Sequence, residues 1–360
     1  MAFVQIAKNS NETEKVKERE SNFELLRLFS IFIIVFYHLL LAPNMALEYA
    51  FNAVLLIAVP CFVLISGYFG IRASVKGLIN LLIKCVVYAV GLYLAYCIVV
   101  NKTISIKDFI KSFVGFYPGY WFIGTYIGLY LISPIINIPL KLASRNQKLI
   151  YLGIFGLISF WLGWAGGQHT MSDGKSIANL IFLYCIGDFL RYNIEHDKIK
   201  SKKYYLLCSY LILNIFLFII FILTKDFKLF QVILYKLFFP YNSPGLILNA
   251  ILCFLLFSTI KIKSSKINWL AVSTLSIYLI HAGLLREFLQ KIVLYMNEKI
   301  SNLLFSYFAL ALFSLIICIC CIIIDKLLEP ILKIIERVIY RRIGLYKIDN
   351  ILKENGITGE

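Results

Sequence analysis

Apolar runs close to twenty residues long follow one another through most of this chain. They fall at roughly 24–42, 47–70, 78–100, 118–139, 148–165, 176–192, 204–224, 244–260, 268–289 and 303–325. A helix needs about 20 apolar residues to cross a hydrocarbon core about 30 Å thick, and in lipid only helices or closed barrels satisfy their own backbone. The pattern therefore predicts an all-α polytopic transmembrane helix bundle of about ten spans. The stretch 228–241 leaves that count open by about one: it extends a neighbouring span, lies in the interface, or re-enters before the break at Pro240 and Pro244. Composition agrees, with 60% hydrophobic and 16% charged residues against about 45–50% and about 25% in soluble domains.

The net charge of +16 raises nucleic acid as a partner, but the basic residues sit mostly in short loops between apolar runs, which is how orientation in a membrane is set. The expected partner of that charge is the lipid bilayer, and nucleic acid is excluded. Arg72 and Lys76, then Lys141, Arg145 and Lys148, then Lys198 to Lys203, then Lys261 to Lys266 mark one set of loops. The opposite set carries fewer cations, so both termini are expected in the cytoplasm. Three regions follow: a polar arm over 1–22, without a small-residue cleavage site, a transmembrane domain over 23–325, and a basic amphipathic tail over 326–360. The nine cysteines lie almost entirely inside apolar runs, away from histidines and carboxylates. They read as small apolar filler, with no disulfide framework and no metal site expected.

Ionisable side chains inside the first run break the apolar pattern. Glu24 and Arg27 are spaced i,i+3 and can pair. Arg27 and His38 lie eleven residues apart, about 16 Å along a helix and within about 20° of the same face. Charges at such depth are costly and usually face a bundle interior or a wet cavity. A snorkelling Arg27 and a packing His38 are the alternatives. On the functional reading, a neutral imidazole can take a proton from a hydroxyl, and a guanidinium can hold a phosphate or stabilise developing negative charge.

Further motifs follow in order: Ser66-Gly67-Tyr68 closing the second run, Tyr120-Trp121-Phe122 opening the fourth, Gly187-Asp-Phe-Leu-Arg191, Ser276-Ile-Tyr278-Leu-Ile-His281, and Glu329-Pro330. With Arg27 and His38 they resemble acyltransferase family 3, the bacterial integral-membrane O-acyltransferases, over nearly all of 22–335. The resemblance implies transfer of an acyl group, usually acetyl from cytoplasmic acetyl-CoA, to a hydroxyl of a cell-surface glycan or its lipid-linked precursor. It also implies a multi-pass protein of the bacterial cytoplasmic membrane.

Carried over by position, His38 and Arg27, with Glu24 beside Arg27, match the family's essential pair. His38 would act as general base or as a transient acyl carrier. The family's basic motif after the second span is met only loosely by Arg72 and Lys76, so Lys84 in the third run is a further candidate for the coenzyme's phosphates. Positive-inside charge is the other reading of Arg72 and Lys76, and snorkelling that of Lys84. Ser66, Tyr68, Trp121, Tyr278 and His281 are the candidate substrate contacts, with an interface belt and helix packing as the alternatives for Trp121 and His281. His169, in a Gly-rich loop, is a weaker acceptor contact. A transporter or flippase for a glycan or small solute is the competing class, and the number of subunits stays open.

Overall fold

The computed structural model describes residues 19–41, 45–113, 120–165, 172–193, 195–283 and 285–342, and within them every regular element is helical. The first half contains α1 (Ser21–Leu39), α2 (Met45–Leu55), α3 (Ala58–Phe69), α4 (Val75–Val99), α5 (Ile106–Phe113), α6 (Trp121–Leu142) and α7 (Arg145–Leu157). The second contains α8 (Ile177–Asn193), α9 (His196–Ser201), α10 (Lys203–Leu223), α11 (Lys228–Phe238), α12 (Pro244–Ser258), α13 (Ser265–Ala271), α14 (Thr274–His281), α15 (Leu285–Lys299) and α16 (Leu303–Arg342). Helix starts follow local chemistry. Ser74 accepts from the Gly77 amide, Ser144 and Gln147 close a capping box, and Pro244 opens α12.

Six helices among the described residues are long and apolar enough to cross a membrane, or seven if the bent pair α13–α14 plus α15 is one span. The expectation of about ten is therefore not met by length, and the reasons are local. The run at 148–165 leaves α-helical geometry at Ile158 and finishes as a π-helix over Ile158–Ala165. The run at 244–260 yields a helix of 15 residues, about 22 Å long and short of a hydrocarbon core. The run at 268–289 breaks after His281 and bends by 82°. The segment 228–241 becomes the separate helix α11 followed by a non-helical turn.

The C-terminal end differs too. The basic segment from 326 does not begin a new helix, because α16 runs unbroken for 40 residues through Pro330 to Arg342. Leu332 is buried, and Leu328, Ile335 and Ile339 pack against the core, while Leu327, Ile331, Ile334 and Val338 stay exposed, so only part of the apolar surface of this extension meets protein. Residues 343–360 of the tail lie outside the described residues, as does all but the last part of the 1–22 arm.

Helix α1 joins the two halves of the core. Phe23 and Leu26 near its start belong to an apolar cluster with α3, α8, α12 and the end of α10. Ile31 through Leu39 belong to a second cluster with α4, α14 and α16. The tightest packing in the first cluster is the crossing of α3 and α8. A side chain at Gly67 would strike the Tyr184 backbone carbonyl, and one at Gly187 would strike the Leu64 carbonyl, so only glycine permits this approach. Arg191 donates to the Tyr68 and Phe69 carbonyls, both at 3.2 Å, closing the C-terminal end of α3. The Ser-Gly-Tyr and Gly-x-x-Leu-Arg motifs are thus two halves of one helix crossing.

Candidate active site

Arg27 and His38 line one cavity of about 370 Å³, as the eleven-residue spacing predicts. Arg19 and Arg27 stand at one end, and Tyr37, His38, Trp121, Tyr241 and Tyr278 form the wall farther along α1. The lining is mostly apolar and aromatic with a few polar groups, the ordinary make-up of a small-molecule site.

At the basic end, Arg27 Nη1 lies 2.7 Å from Glu24 Oε1, the i,i+3 pair expected from sequence. Glu24 is buried, and Arg19 approaches its second oxygen at 3.9 Å. One buried carboxylate thus holds two guanidinium groups, leaving a net positive end to the cavity. Sequence reasoning passed over Arg19, which falls in the polar arm before the first span.

At the other end, His38 Nδ1 lies 2.9 Å from His281 Nε2, and His281 Nδ1 lies 2.6 Å from the Ile277 carbonyl. A carbonyl oxygen can only accept, so it assigns the proton of neutral His281 to Nδ1. His281 Nε2 then carries a lone pair and accepts from His38 Nδ1–H. The remaining nitrogen of His38, Nε2, is left with its lone pair. His281 is fully buried and stands behind His38, away from the cavity wall. Gln290 Nε2 donates to the His38 carbonyl at 2.8 Å, tying α15 to the end of α1. Arg286 lies one turn before Gln290 on the same helix face.

The other sequence candidates divide. Ser66, Trp121 and Tyr278 line the cavity. Ser66 Oγ donates to the Phe62 carbonyl at 2.9 Å and lies 3.2 Å from the Tyr126 hydroxyl. Tyr68 does not reach the cavity. Its ring packs among Phe23, Phe69 and Phe254 at centroid distances of 4.8, 5.1 and 5.5 Å. Arg72 and Lys76 are also outside the cavity wall, and the Lys76 ammonium sits 5.9 Å from the Tyr340 ring of α16. His169 lies outside the described residues.

Lys84 is engaged elsewhere as well. Its ammonium lies 3.7 Å from Asp325 Oδ1, a buried carboxylate in α16. Asp325 also accepts from the Tyr88 hydroxyl at 2.6 Å and from Ser276 Oγ. Buried charge of this kind persists where it is paired and hydrogen-bonded. Ser276 belongs to α14, the short helix that carries His281, so Asp325 pins the element behind the imidazole pair. A lone carboxylate closing a long apolar run was the signal for it.

Tyr241, like Arg19 and Asp325, is a residue that sequence reasoning missed. It comes from the break between Pro240 and Pro244, and its ring lies 5.2 Å from that of Trp121.

No curated protein and no solved structure matches this chain. The profile of a family described as an acyltransferase domain matches residues 20–325, which takes in both imidazoles, Asp325 and all of the cavity lining except Arg19. With the first motifs, the cavity and this match in agreement, the chain belongs to acyltransferase family 3 and is a transferase of acyl groups built from membrane helices.

Proposed function

We propose that the protein is an O-acetyltransferase that moves an acetyl group from cytoplasmic acetyl-CoA to a hydroxyl of a cell-surface glycan or its lipid-linked precursor, in a bacterial cytoplasmic membrane. The observation that carries this reading is the pair of imidazoles whose hydrogen bonds leave a lone pair on His38, in the same cavity as Arg27. Loop charges support a cytoplasmic position for the arginine end.

The coenzyme's phosphates engage Arg27 and Arg19, and its thioester arm extends along α1 toward His38. The acceptor hydroxyl approaches His38 Nε2. As the hydroxyl oxygen bonds to the thioester carbonyl carbon, its proton passes to Nε2. The imidazolium that forms shares its charge through Nδ1–H with the lone pair of His281, which is fixed in that tautomer by the Ile277 carbonyl. When the carbon–sulfur bond breaks, the proton on Nε2 is available to the departing thiolate. Atoms and charge balance without a metal. Glu24 orients Arg27, and Asp325 holds α14 so that His281 stays in register with His38.

An alternative course places the acetyl group on His38 before the acceptor arrives. Rapid quenching of the purified protein with labelled acetyl-CoA and no acceptor separates the two. Direct transfer predicts no protein-bound label, and label that disappears in His38→Ala would replace it with the covalent course. Absence of acetyl-CoA consumption by purified protein, with any hydroxyl acceptor, would sink the transferase reading as a whole and favour transport.

A further inference from the structure

The turn between α11 and α12 is buried although it is not helical. Phe239, Tyr241, Asn242 and Ser243 are all buried. Irregular backbone at membrane depth is tolerated where protein surrounds it or where it lines a cavity, and its polar groups must be satisfied from neighbours. The Tyr241 backbone and the Asn242 side-chain nitrogen find partners from two directions, while Asn242 Oδ1 and Ser243 Oγ have none among the described residues. The Tyr241 amide donates to the Asp173 carbonyl at 2.8 Å, and Asn179 Nδ2 donates to the Tyr241 carbonyl at 3.1 Å. Asn242 Nδ2 reaches the Ser159 carbonyl at 2.9 Å, where the π-helix begins. Gly174, at φ +68°, lets the 172–174 turn close on this loop, since a side chain there would strike the Asn242 amide.

That much fixation of a costly loop has one outcome at the cavity: it holds the Tyr241 ring against Trp121, with centroids 5.2 Å apart and planes at 37°. Both rings line the cavity that contains His38, and Tyr37 lines it beside the imidazole. Aromatic rings carry negative π-faces that attract polarised C–H groups and cations, and the Lys175 ammonium already lies 5.9 Å from the Trp121 ring centroid. A pyranose ring offers such C–H groups on a flat face while its hydroxyls point outward, so a sugar stacked there turns its edge toward a neighbouring base. We propose that Trp121 and Tyr241 form the acceptor subsite, a stacking platform for a pyranose ring beside His38. This rests on the glycan-acceptor reading above and names the residues that select a sugar from other alcohols.

Saturation-transfer NMR on the full-length protein in nanodiscs tests it without requiring turnover. Protein aromatic protons are saturated, and the probes are methyl β-D-glucopyranoside, methyl β-D-galactopyranoside, open-chain sorbitol and pantetheine. The platform predicts transfer to the ring C–H protons of at least one pyranoside and none to sorbitol. Binding should weaken roughly tenfold, about one lost aromatic contact, in Tyr241→Leu and in Trp121→Leu, and survive in Tyr241→Phe. Two leucine variants, one in each ring, keep the test open if either fails to fold. No transfer to either pyranoside, equal transfer in a folded leucine variant, or transfer to pantetheine alone would overturn the platform. Acetyl-CoA consumption by the wild type, measured beside it, separates the two ideas. Consumption without pyranoside binding removes the platform only, and pyranoside binding without consumption removes the transferase reading, and with it the acceptor role, leaving Trp121 and Tyr241 as a sugar-binding platform.

Discussion

His281 accepts a hydrogen bond from His38 across 2.9 Å while donating its own proton to the Ile277 carbonyl at 2.6 Å. The relationship makes one imidazole the orienting partner of the other and frees a defined nitrogen for chemistry. It depends on a carbonyl within the same short helix, so α14 carries both His281 and the acceptor that fixes its tautomer.

Removing the orienting partner should therefore slow the reaction without weakening donor binding. His281→Ala is expected to lower kcat by about 10²-fold, within the range for losing general-base assistance, with KM for acetyl-CoA unchanged. His281→Gln, which can still accept from His38, should recover part of the rate. Steady-state kinetics on purified protein check this, and a rise in KM as large as the fall in kcat would place His281 in donor binding.

Arg27 and Glu24 act as a unit at 2.7 Å. Arg27→Ala should raise KM for acetyl-CoA by about tenfold or more, the scale of one charge-assisted contact. Arg27→Lys should rescue little, because an ammonium lacks the planar fork that grips both a carboxylate and a phosphate. Glu24→Gln keeps the shape but loosens the arginine, and should fall between wild type and Arg27→Ala.

Lys84 is expected to be silent toward the donor, since its ammonium is committed to Asp325 at 3.7 Å. Asp325→Asn leaves Lys84 short of its counter-charge and weakens the hold on Ser276. It should lower the melting temperature of the detergent-solubilised protein and reduce kcat through displaced His281. Lys84→Met with Asp325→Asn should restore more stability than it restores rate, which a double-mutant cycle resolves.

Much of this arrangement was legible in the chain, and the parts that were not share a physical cause. The spacing of Arg27 and His38 sufficed to put them on one face because helical periodicity is rigid over three turns. The pairing of His38 with His281, 243 residues apart, depends on helix packing that no local pattern encodes, although both residues carried the signal of an intramembrane imidazole. Tyr68 stood out within a motif, yet the motif serves the Gly67–Gly187 crossing and turns its ring into the core. Lys84 looked available because its partner Asp325 lies on the last long helix. The count of about ten spans is not reached where apolar runs contain a short or interrupted helix, as at 148–165, at 244–260 and after His281, since hydropathy reports apolar composition and not helix continuity.

The α3–α8 crossing gives a prediction independent of the chemistry. Gly67→Val or Gly187→Val inserts a side chain against backbone carbonyls that cannot move aside. Either change should abolish accumulation of folded protein, scored by fluorescence-detected size exclusion. Gly91→Ala, where added bulk meets open space, should have no such effect.

The central claim is that His38 performs acyl transfer to an envelope glycan with His281 behind it. Its most direct test is the acetyl released by mild base from surface glycan of a strain lacking the chromosomal copy and complemented with wild type, His38→Ala or His281→Ala at matched protein levels. The account predicts background acetyl for His38→Ala and a partial loss for His281→Ala. Wild-type acetylation from His38→Ala would contradict it.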